Sequence, residues 1–268
     1  MRKLCLWISL SVALPCAPLA AQETAPAPIV TRGDLVKLGA VAGLSVLAFQ
    51  ADGALRADVR DAQTQQNSFA DALSEVGNPY GGFGVLALGG AMWGGGLVAG
   101  NETVATVGLR AVEAITVSGI IVKVIKGTAG RSRPRVAPHQ RGDFDLGRGF
   151  GAVDGDYESF PSGHTTAAFA FAAAVTSEVA RRAPGHARTV AIATYGMGLV
   201  AGYARMHVDA HWFSDVTMAA GIGMLSGWAV TRWHAERPDN AIDRMLLRPV
   251  IAPGPDGSAR IGFQLVTR

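Results

Sequence analysis

Residues 161–180, PSGHTTAAFAFAAAVTSEVA, decide the fold class. After Pro161 the run is Ala-rich, longer than an ordinary strand and free of the two-residue alternation of a sheet, so it predicts a helix over 163–180. Ser162 stands at the expected N-cap, and Gly163 allows close approach of a backbone or ligand. The first N–H groups of such a helix lack intrahelical acceptors and sit at the positive end of its dipole, which makes an anion site. His164 falls in the first turn, beside any anion bound there. Taken alone, these features fit a simple capped helix start equally well.

Five more stretches share this character: 35–50, 82–100, 103–125, 189–206 and 214–232. Together they predict an all-α fold, a helical bundle of about six core helices spanning residues 33–236. Of the connections, 51–81 is polar with charged helical character. The 135–160 connection is rich in Gly, Asp and Arg, a long loop of the kind that carries function. Residues 237–268 form a tail, in which 246–251 and 260–266 flank Pro253-Gly254-Pro255-Asp256-Gly257-Ser258 and predict a short β-hairpin.

At the other end, Arg2 and Lys3 precede an apolar run ending in Ala20 and Ala21, the pattern of an export signal peptide over 1–21, followed by a Pro/Ala-rich linker over 22–32. Cys5 and Cys16 both fall in the signal, so the exported chain has no thiol for a disulfide. The formal charge is +3, and Arg2 and Lys3 supply two of those charges; so small a balance gives no footing for a nucleic-acid partner. Several uncharged runs are only about 16 residues long, short of the ~20 a bilayer core needs. Arg110 and Glu113 stand mid-stretch, where a charge at the bilayer centre costs roughly 2.5–3.5 kcal/mol. A chain exported at residue 22 that crossed at every stretch would also leave the loop after 103–125 in the cytoplasm. The expectation is therefore an exported envelope protein, a periplasmic helical domain that is soluble or membrane-associated.

Chemistry-bearing residues cluster at the ends of these stretches. Lys126 and Arg133 place two cations where the 103–125 stretch stops; such a pair either meets an anion or forms a solvated basic helix end, and Arg131 and Arg135 read as the latter. Arg205 closes the 189–206 stretch, while His211 and Asp215, four apart, share one face at the start of the next. A carboxylate there can take the proton of one imidazole nitrogen and leave the other nitrogen its lone pair, though the two also fit an ordinary surface cap. As a set, three cations, a helix N-terminus and two histidines match what in-line phosphoryl transfer requires. In that reading His211 attacks phosphorus and carries it as a phosphohistidine; His164 protonates the leaving alkoxide and then activates water. The sequence holds no carboxylate-rich cluster suited to Mg²⁺ or a metal pair, so neither metal nor cofactor is expected.

The motifs Lys126-x6-Arg133-Pro134, Pro161-Ser162-Gly163-His164 and Arg205-x5-His211-x3-Asp215 resemble the three signatures of the type 2 phosphatidic acid phosphatase superfamily, over residues 103–232. That superfamily includes lipid phosphatases, bacterial acid phosphatases and vanadium haloperoxidases. The resemblance implies a helical bundle with its motifs at helix ends and a phosphoric monoester hydrolase acting on a lipid phosphate or a soluble ester. It also implies phosphate binding by Lys126, Arg133, Ser162, Gly163 and Arg205, with His164 as acid, His211 as nucleophile and Asp215 as its orienting partner. One departure is Ala204, where the family usually has Ser, which removes a hydroxyl contact. His207 and Asp209 are more polar than in many relatives and read as a solvated loop near the substrate mouth. Two other readings stay open: a vanadate-dependent haloperoxidase with His211 as metal ligand, and an envelope protein that keeps the fold without turnover.

Overall fold

The computed structural model describes residues 28, 30–152, 154–247, 250–253 and 259–262; the expected signal over 1–21 and most of the linker lie outside them. The chain is all-α with a small terminal hairpin. In order it forms α1 (Arg32–Val59), α2 (Ala62–Gln65), α3 (Ser68–Pro79), a π-turn at Tyr80–Gly84, α4 (Val85–Val98) and α5 (Glu102–Ala129). A loop holding one 3₁₀ turn at Arg148–Gly151 leads to α6 (Gly163–Arg182), followed by α7 (Ala187–His207), α8 (Phe213–Ala235) and α9 (Ala241–Leu246). Strands β1 (Val250–Pro253) and β2 (Ala259–Gly262) pair antiparallel, with Val250 opposite Gly262. Each of the six predicted stretches falls on a helix.

Local chemistry sets the ends. At α1, Thr31 and Asp34 cap each other reciprocally; at α5, Asn101 accepts from the Val104 N–H, and the C-terminal end closes on Gly130 in the left-handed region at φ 55°. Ser162 is the N-cap of α6, accepting from the Thr165 N–H at 3.4 Å.

Helix α6 is the centre of the bundle. Ala168, Ala170, Ala172, Ala173 and Ala174 are all fully buried, and the helix packs on α5, α7 and α8. The Ala-rich face exists because the neighbouring backbone comes so close: a Cβ added at Gly227 of α8 would lie 2.6 Å from the Ala173 Cβ and 2.8 Å from the Ala170 carbonyl oxygen. Helices α1, α5 and α7 end, and α6 and α8 begin, at the same end of the bundle. Lys126, Arg205 and His164, from three helices, and His211, two residues before α8, therefore come to one level.

The helices are longer than the uncharged runs. Arg32–Val59, Ser68–Val98 and Glu102–Ala129 span 28, 31 and 28 residues and are each long and apolar enough to cross a membrane. The runs read short because polar residues interrupt them, and two of these, Asp52 and Arg110, face inward. Arg110 is only 2% exposed and pairs with Asp243 at 2.6 Å and Glu113 at 3.2 Å, so its charge is met inside the bundle rather than presented outward. The outer faces are apolar: Val36, Leu47, Phe83, Val98, Ile120 and Val124 are all exposed. An aqueous protein seldom leaves so much apolar surface bare. The chain is expected to stay in the membrane pellet through a high-salt wash and to enter solution only with detergent; release by salt or osmotic shock would show that these faces do not meet lipid.

Candidate active site

The site is built where α5 and α7 end and α6 and α8 begin. Lys126, in the last turn of α5 and 7% exposed, extends past Gly163 to donate its ammonium to the Glu158 carbonyl; a Cβ at Gly163 would touch the Lys126 Cε at 3.8 Å. Arg133 leaves the loop after α5, with Nε donating to the Gly155 carbonyl at 2.7 Å and Nη1 to that of Ala210 at 3.4 Å. Arg205, near the C-terminus of α7, donates Nη1 to Asn78 Oδ1 at 2.6 Å, while its Nε is buried without a partner. Its carbonyl accepts the Ala210 and His211 N–H groups, which folds the third motif back on itself. Ser162 and Gly163 open α6 as expected, leaving the N–H groups of Gly163 and His164 without intrahelical acceptors.

Two histidines face this set. His164 is partly exposed and has a pKa lowered to about 4, first by desolvation and then by Arg205, Lys126 and Arg133. All three predicted cations thus act on the same imidazole. The field and partial burial also hold Arg205 down to about 10, with desolvation first and Arg133 next. His211 is 4% exposed, and its pKa is lowered to about 3, chiefly by desolvation, with Asp215 pulling upward and Lys126 and Arg133 downward. Its Nδ1 lies 2.7 Å from the Ser159 carbonyl oxygen. A carbonyl only accepts, so Nδ1 carries the proton and Nε2 keeps its lone pair.

Asp215 differs from its expected part. It lies 3.7 Å from His211 Nδ1, beyond hydrogen-bonding reach, so the tautomer is set by the Ser159 carbonyl and Asp215 acts as the charge behind it. Its carboxylate accepts instead from the Ser159 hydroxyl at 2.5 Å, the Trp212 N–H at 2.9 Å and Arg131. The Arg131 guanidinium and the hydrogen bonds hold Asp215 ionised against its burial.

Arg131 corrects the reading of a solvated helix end. It is 1% exposed, because its guanidinium reaches two buried carboxylates and stacks among Phe49, Phe144 and Trp212. Arg135, by contrast, is exposed and pairs with Asp156. His207 and Asp209 are likewise buried rather than solvated. His207 Nε2 meets Asp71 Oδ1 at 3.1 Å; Asp209, at φ 54°, takes a two-pronged bond from Arg56 at 2.8 and 2.6 Å. The loop between α7 and α8 is therefore clamped to α1.

Sequence reasoning missed Asp52, Ser159, Asn78 and Gly82. Asp52 and Arg56 carried a readable signal, a charged pair four apart at the end of an apolar run, which ended the predicted stretch at residue 50 when the helix continues to Val59. Asn78 accepts from Arg205 Nη1 at 2.6 Å. Gly82, at the π-turn, lets the chain pass over the His164 ring: a Cβ there would sit 2.8 Å from Nε2. Nothing local in the sequence marks Ser159, Asn78 or Gly82.

The fold and site define an α-helical bundle with a group of cations and histidines assembled at the helix ends. Residues 108–239 match the family model described as the PAP2 superfamily, and the chain belongs to that superfamily. All three motifs lie in the matched segment, while α1, α3 and α4 lie outside it. A crystal structure described as the first transmembrane PAP2 type phosphatidylglycerolphosphate phosphatase, from Bacillus subtilis, is similar in fold. Its TM-score is 0.51 and its identity 18%, over 76% of this chain and 94% of that one. No curated protein matches the chain.

With these fields, ¹⁵N NMR of labelled histidines is expected to show both His164 and His211 neutral at pH 6, with His164 moving upward when inorganic phosphate offsets the cations. A His164 protonated at pH 6 without phosphate would contradict the convergence of Lys126, Arg133 and Arg205 upon it.

Proposed function

We propose that the protein is a metal-independent phosphatase that hydrolyses phosphate monoesters through a phosphohistidine on His211. The observation that carries the reading is the buried His211, held as the Nδ1–H tautomer by the Ser159 carbonyl, with Lys126 and Arg133 acting on it. Such an imidazole stays unprotonated, and its Nε2 lone pair is free to attack.

In the reaction, Lys126, Arg133, Arg205 and the first N–H groups of α6 take the non-bridging oxygens of the phosphate, supplying the neutralisation a metal would otherwise provide. Nε2 of His211 forms a bond to phosphorus as the ester P–O bond breaks, and protonated His164 gives its proton to the departing alkoxide. His164, now neutral, removes a proton from water. The resulting hydroxide attacks phosphorus, the P–N bond breaks and phosphate leaves. His211 is positively charged in the intermediate, and the ionised Asp215 at 3.7 Å offsets that charge.

His164 is neutral in the empty site, so it must gain its proton as the substrate's negative charge offsets the cations. The apolar outer faces of α1, α4 and α5 favour a lipid phosphate as substrate, with the site at one face of the bilayer. An exported enzyme would direct that face away from the cytoplasm.

Hydrolysis of p-nitrophenyl phosphate in EDTA is expected to fall by at least about 10³-fold in His211→Ala, together with loss of an acid-labile phosphoprotein on quenching. Equal rates for the two proteins would end the phosphohistidine mechanism. The pH profile tests the acid. Because kcat/KM reports the free enzyme, it should be greatest at acid pH and fall about tenfold per unit above the pKa of His164, after correction for substrate ionisation, whereas kcat holds to higher pH. A corrected kcat/KM that stays flat from about pH 5 to 8 excludes His164 from that role.

A further inference from the structure

We propose that Arg131 and Asp52 are positioning residues of the nucleophile: Arg131 holds Asp215 behind His211, and Asp52, reaching in from α1, holds Arg131. This rests on the reading of His211 as nucleophile.

Every N–H of the Arg131 guanidinium is engaged. Nε donates to the Arg141 carbonyl at 3.1 Å; Nη1 donates to Ser214 Oγ at 2.8 Å and to Asp215 Oδ1; Nη2 donates to Asp52 Oδ2 at 2.8 Å and to the Arg141 carbonyl at 2.6 Å. A guanidinium has five donors, so none remains for a substrate. Arg205 is the opposite case, with a buried Nε that has no partner. Arg131 therefore does not belong to the phosphate cradle, although it lies two residues from Arg133.

What it holds is the second face of the nucleophile. Its side chain fixes Asp215, and its backbone carbonyl accepts the Ser159 N–H at 3.0 Å. Ser159 in turn presents its carbonyl to His211 Nδ1 and its hydroxyl to Asp215 Oδ2. Both groups that face Nδ1–H thus hang on this residue. Asp52 anchors the far side, taking the Ser214 N–H at 2.8 Å, the Ser214 hydroxyl at 2.7 Å and Arg131. Asp52, Arg131 and Asp215 are each at most 1% exposed.

Together two carboxylates and one guanidinium carry one net negative charge, directed at the imidazole that becomes positive when Nε2 bonds phosphorus. Without Asp52 the set is neutral and the guanidinium loses an anchor. Without Arg131 two buried carboxylates share one pocket, and one must take up a proton. Since Asp52 belongs to α1, that helix completes the site from outside the segment the family model matches.

The test compares Asp52→Asn, Arg131→Met, the double variant and His211→Ala in one preparation, with folding followed by thermal melting. Turnover, KM, inhibition by inorganic phosphate and the pre-steady-state rate of phosphohistidine formation are the readouts. Asp52→Asn is expected to lower kcat and the phosphorylation rate about 10- to 100-fold. KM and phosphate inhibition should stay within about twofold, because the cradle is untouched. Adding Asp52→Asn to Arg131→Met should cost nothing further, since Asp52 acts through Arg131. A cooperatively melting Asp52→Asn with wild-type turnover overturns the proposal. So does a rise in KM with kcat unchanged, which would place these residues in substrate binding. Should Asp52→Asn not fold, Asp52→Glu decides by the same criteria, as it keeps the charge and moves it by one methylene. Wild-type activity in His211→Ala would instead sink the phosphohistidine mechanism and leave this geometry as architecture alone.

Discussion

A carboxylate sealed from water at the start of α8 is the constraint on which the site depends. Asp215 has no exposure, and an uncompensated charge at such a depth is not sustainable. Its compensation comes from Arg131, the Ser159 hydroxyl and the Trp212 N–H, and each of those partners fixes something else. Arg131 ties the loop after α5 to α1, Ser159 sets the His211 tautomer, and the Trp212 N–H closes the first turn of α8. Satisfying one buried charge thereby aligns three segments. Removing a single partner from such a network costs more than the bond itself, because the charge stays behind.

The opposite side of His211 follows another rule. Among the described residues Lys126, Arg133 and Arg205 donate no hydrogen bond to a carboxylate; they donate to carbonyl oxygens and to Asn78. Desolvation is the first cause of the lowered pKa of both histidines, and these cations add to it, all three at His164 and Lys126 and Arg133 at His211. The imidazole of His211 lies between the Asp215 carboxylate on one side and the cations on the other.

Burying ions is also how the helices keep apolar exteriors. At the far end of the bundle, Arg110 of α5 pairs with Asp243 of α9 and with Glu113, and His234 of α8 meets Glu113 at 2.8 Å and Asp243 at 3.2 Å. These bonds strap α9 across the bundle and keep the Arg110 charge off the outer surface of α5. The small-residue contact between α6 and α8 has a related effect, for it brings α6, which carries His164, close to α8, which begins two residues after His211.

Much was legible in the sequence. The six helical stretches, the N-cap at Ser162, the hairpin and the positions of all three motifs at helix ends follow from local rules: apolar runs of helical length, capping residues and turn formers. Membership of the superfamily was readable too, since motif spacing is a property of the chain alone. The tertiary structure decided which charges are solvated. Arg131 and Arg135 look alike in sequence, yet one is buried and the other exposed, because the partners of Arg131 lie 79 and 84 residues away and only the fold brings them to it. The same applies to Asp209, whose partner Arg56 is 153 residues distant, and to helix length, where inward pairing of Asp52 accompanies the continuation of α1 to Val59, past residue 50 where its apolar stretch stops. Short-range spacing fixes which elements form; long-range charge pairing, invisible until the chain is folded, fixes which polar residues the interior accepts and which way the His211 imidazole points.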